Sequence, residues 1–185
     1  MKEDVINSVE AFVPYNEREA QDKEKTLEFL KGDNCFVREN LIGHVTSGAL
    51  VVSSDNMVLL NHHKKTGMWF QFGGHCDGDS DTLRSALREV YEESGLTDLT
   101  LLVDGIFNID VQEIDDCPKK NEPEHLHYDL NYLVLTTSKE FVSSNESLEL
   151  KWCTLSEAKE LVSKDDIGTL RMLEKYEKLI NGLKS

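Results

Sequence analysis

The stretch GGHCDGDSDTLRSALREVYEESGL, from Gly73 to Leu96, decides the fold and the function that we predict for this chain. Apolar residues recur in its second half at intervals of three and four, which predicts an amphipathic helix at about residues 80–94. The apolar stripe consists of Leu83, Ala86, Leu87, Val90 and Tyr91. A polar side chain at 79–81 would cap the start of this helix, and Gly95 suits a left-handed end.

The same predicted helix places three glutamates, Glu89, Glu92 and Glu93, on a face separate from the apolar stripe. Like charges at these spacings repel by roughly 0.2–0.5 kcal/mol per pair. Converging oxygen ligands suit Mg²⁺ or Mn²⁺, and the cation would relieve the repulsion. The alternative is a solvated acidic face, helped by Arg88 four residues before Glu92.

The composition is that of a globular protein with about one domain's length. The 185 residues are 39% hydrophobic and carry a net charge of −15. This acidity argues against a nucleic-acid polymer as partner, but a phosphorylated small molecule stays compatible through a bridging divalent cation. Four cysteines without a CxxC pair favour reduced thiols over a zinc site. We find neither a signal peptide nor an apolar run of the ~20 residues that span a bilayer, and so expect a cytoplasmic protein without membrane contact.

The rest of the chain predicts an α/β protein, specifically an α+β mixed-sheet sandwich. We expect residues 1–40 to form a helical extension packed on the same domain as residues 41–185, with dimerisation as an alternative role for this arm. Helices are also predicted at about 156–163 and 167–182, and a polar loop at 115–127. Strands are predicted at 44–54, 57–63, within 99–114, at 127–137 and at 148–155.

Residues 74–96 resemble the Nudix box, G-x5-E-x7-R-E-U-x-E-E-x-G-U, in which U is a bulky aliphatic residue. Its fixed positions are taken by Gly74, Arg88, Glu89, Val90, Glu92, Glu93, Gly95 and Leu96. Ser80 stands where the first glutamate of the box belongs. The WFQFGGH sequence before the box, and Glu146, Glu149 and Trp152 after it, extend the resemblance over roughly residues 44–160.

The resemblance implies a Nudix fold and a hydrolase that splits a nucleoside diphosphate linked to another group, using water and Mg²⁺ or Mn²⁺. Carried over by position, the metal ligands would be Glu89, Glu92, Glu93 and a backbone carbonyl at Gly73 or Gly74. Glu89 would be a ligand or the base, Arg88 would orient a box glutamate, and Glu146 or Glu149 would act from outside the box. Since the glutamate replaced by Ser80 is a supporting residue in the family, we expect activity to survive its loss in weakened form.

Several residues near the box are candidates for substrate binding. His125, His127 and Asp129 alternate along a predicted strand and so share one face, where they would contact phosphate or form an exposed polar surface. His75 follows Gly74 directly and would reach the substrate. Trp69 and Phe70 would stack on a base or belong to the core. Cys76 lacks the basic surroundings of a nucleophile.

Two other functions remain open at this point. A Nudix-like domain that senses a nucleotide and regulates a partner would tolerate the loss of a box glutamate, as at Ser80. A prenyl-diphosphate isomerase shares the fold, but it needs a catalytic cysteine and a metal-binding histidine set, which we do not find arranged in this sequence.

Overall fold

The computed structural model describes residues 1–116 and 123–182. The described helices are α1 (Lys2–Ala11), α2 (Glu17–Leu30), α3 (Thr82–Ser94), α4 (Leu155–Leu161) and α5 (Ile167–Gly182). The described strands are β1 (Gly43–Ser53), β2 (Val58–His63), β3 (Met68–Phe70), β4 (Phe72–His75), β5 (Leu99–Leu101), β6 (Asn108–Ile114), β7 (His125–Thr136) and β8 (Ser147–Cys153). Six residues of the predicted loop at 115–127, those at 117–122, lie outside the described part, and its last three residues begin β7.

Strand β1 is the centre of a mixed sheet. It pairs antiparallel with β2 and β4 and parallel with β7, while β5 and β6 pair with β7, and β3 and β8 pair with β2. Its residues are buried along its whole length, and their side chains alternate between two cores. Val45, Ala49 and Val51 pack with α3, whereas Leu50 and Val52 pack with α4 and α5. The predicted sandwich of helices on a mixed sheet is confirmed.

Helix α3 lies close to β1 because small residues face the strand. Ser85 and Ala86 are buried, and the Ser47 hydroxyl donates a hydrogen bond of 2.7 Å to the carbonyl of Thr82. In this orientation of the helix Glu93 lies on its buried face, 8% exposed, while Tyr91 is 55% exposed. The prediction that Tyr91 belongs to the apolar stripe is therefore wrong, and the acidic face is not separate from the core.

The ends of α3 agree with the predicted caps. Asp81 accepts a hydrogen bond of 3.0 Å from the backbone N–H of Arg84, which satisfies a donor in the first turn. Gly95 adopts the left-handed conformation, with φ of 71°, in which a side chain would be strained. The helix therefore begins and ends within two residues of the predicted bounds.

The two N-terminal helices contribute to the core and to a buried charge network. Val9 and Leu30 are fully buried among residues of the sheet. Arg171 of α5, 2% exposed, lies 3.4 Å from the carboxylate of Glu19 in α2 and 2.9 Å from that of Asp110 in β6. A buried charge needs such partners, because removing one of them leaves the other unpaired at low dielectric. No described helix is long and apolar enough to cross a bilayer.

Candidate active site

A cavity of about 1050 Å³ opens beside the N-terminal half of β1, between β4, β7 and α3. It brings together the site residues proposed from the sequence except Glu149 on β8 and Trp69 on β3, which lie outside the lining. The lining includes Gly73, Gly74, His75, Arg88, Glu89, Glu92, Glu93, His125, His127, Asp129 and Glu146. The chain thus gathers residues from β4, α3, β7 and the loop before β8 around one space.

Glu93 is the most constrained carboxylate of this cavity. The Asn61 amide donates to its Oε1 over 3.0 Å, and the backbone N–H of Gly73 donates to its Oε2 over 3.4 Å. Burial, with the neighbouring charges of Glu89 and Glu146, raises the pKa of Glu93 to about 7. The ionised form is thus disfavoured, and a cation in the cavity would favour it.

Glu89 lies directly over the backbone of Gly74. A Cβ atom at Gly74 would stand 2.6 Å from the carboxyl carbon of Glu89, so a side chain at position 74 would displace this carboxylate. Burial foremost, and also the charge of Glu92, raises the pKa of Glu89. Arg88 opposes this effect, since its Nη1 lies 2.7 Å from Glu89 and 3.2 Å from Glu92.

Arg88 also fixes the backbone next to the glycines. Its Nη2 donates a hydrogen bond of 2.8 Å to the carbonyl of His75. One guanidinium therefore joins two glutamates of α3 to the end of β4. Glu92 is the more exposed of these two carboxylates, at 53% against 14% for Glu89.

The acids next to Ser80 do not stand in for the missing glutamate. Asp79 forms an ion pair of 2.6 Å with Arg84, whose hydrogen bonds lower the pKa of Asp79, and Asp81 caps α3. Neither lines the cavity. Asp77 does line it, 2.9 Å from Arg38, and this acid was not singled out from the sequence.

Asp129 lies in β7 and lines the same cavity as the glutamates. It accepts a hydrogen bond from the hydroxyl of Thr46, its neighbour in β1. Burial raises the pKa of Asp129 to about 7, and the charge of Asp110 on β6 acts in the same direction. A half-buried acid of this kind can hold or release a proton near neutral pH.

Four histidines meet at one end of the cavity, and the sequence analysis had grouped only two of them. His44 of β1 has its ring 4.7 Å from that of His127, 5.0 Å from that of His125 and 4.9 Å from that of His75. Burial, with the charges of His44, His75 and His125, lowers the pKa of His127 to about 3. The grouping depends on the parallel register that pairs His44 with His127, which no local pattern of the sequence indicates.

The aromatic and cysteine residues near the box have different surroundings. Trp69 stacks on His62 with ring centroids 4.8 Å apart and packs against the second core, whereas Phe70 lines the cavity. Cys76 is 2% exposed, and burial raises its pKa to about 12. A thiol that stays protonated is neither a nucleophile nor the catalytic cysteine of an isomerase.

The comparisons with known proteins give one family and one fold. A model of the NUDIX domain matches residues 43–175. An Ap4A hydrolase of C. elegans, solved as a binary complex, superposes with a TM-score of 0.60 at 20% identity, over 75% of this chain and 98% of that chain. A NUDIX-family hydrolase of Clostridium perfringens gives 0.56 at 26% identity, over 74% and 97%.

A third similar structure holds a ligand. The NUDIX domain of Shewanella oneidensis NrtR, complexed with ADP ribose, superposes with a TM-score of 0.55 at 16% identity, over 74% of this chain and 87% of that chain. No curated protein matches the sequence significantly.

Proposed function

The chain belongs to the NUDIX family of hydrolases, and from this premise we propose that it hydrolyses a nucleotide-derived diphosphate with the help of Mg²⁺ or Mn²⁺. The observation that supports the proposal is the convergence of Glu89 and Glu93 in one cavity, where burial disfavours both charges and the charge of Glu89 further disfavours that of Glu93. A protein gains nothing in stability from such an arrangement, whereas a divalent cation and an anionic substrate give it a use.

The residues fit a hard cation. Glu89, Glu92 and Glu93 offer only oxygen atoms, and glycines at 73 and 74 leave a backbone carbonyl open to approach. A bound Mg²⁺ or Mn²⁺ would neutralise the diphosphate and make a water molecule more acidic. We assign these three glutamates and a carbonyl of Gly73 or Gly74 as the ligands.

The other residues of the site would position the glutamates and accept a proton from water. Arg88 keeps Glu89 and Glu92 in place through its ion pairs, and Asn61 fixes one oxygen of Glu93. Glu146, whose charge already acts on Glu93, is our candidate for the general base. In the reaction, the oxygen of water bonds to one phosphorus, its proton passes to the base, and the bridging P–O bond breaks.

The substrate proposal rests on the size and lining of the cavity. At about 1050 Å³ it exceeds the ~300–1,000 Å³ of ordinary small-molecule pockets, so a dinucleotide-sized ligand fits. Lys65 and Arg38 line it and would meet phosphate groups, and Phe70 offers a face for a base. His75, His127 and Asp129 complete the substrate side. Ap4A and ADP-ribose, the compounds named for two similar structures, are the first substrates to test.

The test is a turnover assay on purified protein with Mg²⁺ or Mn²⁺ and a panel of nucleoside diphosphate derivatives. We expect cleavage of at least one compound, with label from ¹⁸O-water on a single phosphate product. Glu92→Gln and Glu93→Gln should each lower kcat by about 100-fold or more, as losses of charge stabilisation do. Glu149→Gln is the matched control, because this carboxylate lies outside the cavity.

Two results would contradict the proposal. Undiminished turnover in both glutamate variants would exclude these residues as the metal site. Nucleotide binding without turnover of any compound would favour the alternative, a non-catalytic sensor, which the serine at position 80 still allows. In either case the fold and the family stand.

Two predictions from the sequence need their own measurements. We place the protein in the cytoplasm, where the free thiols of Cys35, Cys76 and Cys153 would remain reduced. A homodimer built on the N-terminal arm would sediment at twice the mass of 21.0 kDa. A single species of monomer mass would exclude that role for the arm.

A further inference from the structure

The four-histidine end of the cavity has the geometry of a second metal site. The ligand nitrogens of His44, His125 and His127 can be chosen within 4.8 Å of one another. The Nε2 atoms of His125 and His127 are only 3.1 Å apart. Nitrogen ligands of a tetrahedral Zn²⁺ ion, at 2.0–2.1 Å from the metal, stand about 3.3 Å from each other.

The strand pairing explains why these side chains converge. In the parallel pair of β1 and β7, His44 is the direct partner of His127, and His125 lies two residues earlier on the same face of β7. β4 runs along the other edge of β1, where His75 is the partner of Thr46. Three adjacent strands thus direct four imidazoles to one place, and backbone hydrogen bonds hold them there.

The chemistry of this cluster differs from that of the glutamates. Mg²⁺ and Mn²⁺ prefer oxygen ligands, whereas imidazole suits the later first-row transition metals, Zn²⁺ in particular. The two Nε2 atoms at 3.1 Å face each other, and each nitrogen has a lone pair that it can offer to a cation when it carries no proton. His44 is 3% exposed, so its ring lies inside the protein on the central strand and not at the surface.

We propose that His44, His125 and His127 bind one first-row transition-metal cation, represented by Zn²⁺, at a site distinct from the box glutamates. The ring of His75, packed against those of His44 and His127, is the first candidate for a fourth ligand. The site does not depend on the proposed hydrolysis, since it is defined by binding alone. Its cation would lie in the same cavity as the substrate.

The experiment is a Zn²⁺ titration of the metal-free full chain, followed by calorimetry, in a large excess of Mg²⁺ that occupies the carboxylates. We expect one Zn²⁺ per chain. His125→Gln and His127→Gln should each weaken it by about 100-fold or more, because loss of a ligand exceeds the 10–100-fold effect of removing a supporting contact. His62→Gln is the matched control, since His62 stacks on Trp69 outside the cavity.

X-ray absorption at the zinc edge supplies a second readout that identifies the ligands. The wild-type protein should show imidazole nitrogens at about 2.0–2.1 Å, and each of the two variants should show one imidazole fewer or no bound zinc. Circular dichroism would be used to check that both variants are folded.

Two outcomes would overturn the proposal. The first is the absence of Zn²⁺ binding in the wild-type protein under excess Mg²⁺. The second is Zn²⁺ binding that is retained in folded His127→Gln and His125→Gln but lost in Glu93→Gln, because the ion would then occupy the carboxylates. Neither outcome bears on turnover with Mg²⁺, so the proposed function is tested separately.

Discussion

Replacing Glu93 with glutamine should stabilise the metal-free protein at neutral and alkaline pH. Burial, followed by the charge of Glu89, raises the pKa of Glu93 from 4.5 to about 7. The folded state therefore binds this proton more tightly than the unfolded chain. The free energy of unfolding falls as the pH rises from 4.5 to 7 and then levels off. At 1.36 kcal/mol per pH unit, the ionised carboxylate destabilises the fold by about 3 kcal/mol above pH 7.

The assay is unfolding of metal-free protein by heat or urea between pH 4.5 and 8.5. The free energy of unfolding of Glu93→Gln minus that of the wild type should increase by about 3 kcal/mol between pH 4.5 and pH 8. For a chain of this length that increase corresponds to roughly 6–12 °C in Tm. Glu149→Gln, the control, should follow the wild-type curve. Mg²⁺ at about 100 times its Kd should add about 2.7 kcal/mol to the wild type and little to Glu93→Gln.

One result would refute this reasoning. If wild type and Glu93→Gln change in parallel between pH 4.5 and 8, the carboxylate is not disfavoured in the fold. The convergence of the glutamates would then lose its physical basis as a cation site.

Three further predictions concern other parts of the molecule. Gly74→Ala should displace the carboxylate of Glu89, which lies 2.6 Å from the new Cβ, and lower kcat by about 100-fold, as an ångström of misplacement does. Arg171→Met should cost about 3–5 kcal/mol in urea unfolding, because it leaves buried carboxylates unpaired. The transition should stay single if residues 1–40 belong to the same domain, as we propose. Iodoacetamide at pH 8 should leave Cys76 unmodified in the folded protein, as mass spectrometry would show, since its thiol is buried and protonated.

Each of these three predictions has a control, which distinguishes the expected effect from a general loss of folding or activity, and a result that would contradict it. Gly182→Ala adds a Cβ with no atom within 4 Å and should keep the wild-type kcat. Lys159→Met breaks an exposed ion pair with Glu177 and should change stability by less than about 1 kcal/mol. Cys76 should react fully in urea. Normal turnover in Gly74→Ala, a small effect of Arg171→Met, or rapid labelling of folded Cys76 would contradict the corresponding prediction.

The sequence predicts features of this protein that depend on neighbours along the chain. The helical period brings Glu89, Glu92 and Glu93 together within a single turn, so the acidic site follows from spacing alone. The same holds for β1, predicted at 44–54 and found at Gly43–Ser53. These features are local, and the periodicity of apolar and polar residues in the sequence reflects the local geometry of helices and strands.

Features that depend on how elements pack were not predictable in the same way. His44 joins the other histidines only because β1 and β7 pair in parallel at one particular register. Tyr91 is exposed and Glu93 buried because of the rotation at which α3 packs on β1, where Ala86 and Val90 are buried and Ser47 bonds to the carbonyl of Thr82. A sequence states which residues are apolar, but long-range pairing decides which face of a helix is turned inward.

The electrostatics of the box also bear on the effect that we expect from Ser80. Arg88 contacts Glu89 and Glu92, so the three ionised glutamates and one guanidinium together leave two negative charges. One divalent cation neutralises that charge. A further glutamate at position 80 would add a charge that would strengthen the hold on the cation but repel the diphosphate at the same place. Because Asp79 and Asp81 are engaged by Arg84 and the helix start, they do not restore that charge. If the glutamates hold the proposed cation, we therefore expect serine at this position to lower the affinity for the metal and to weaken the repulsion of an anionic substrate.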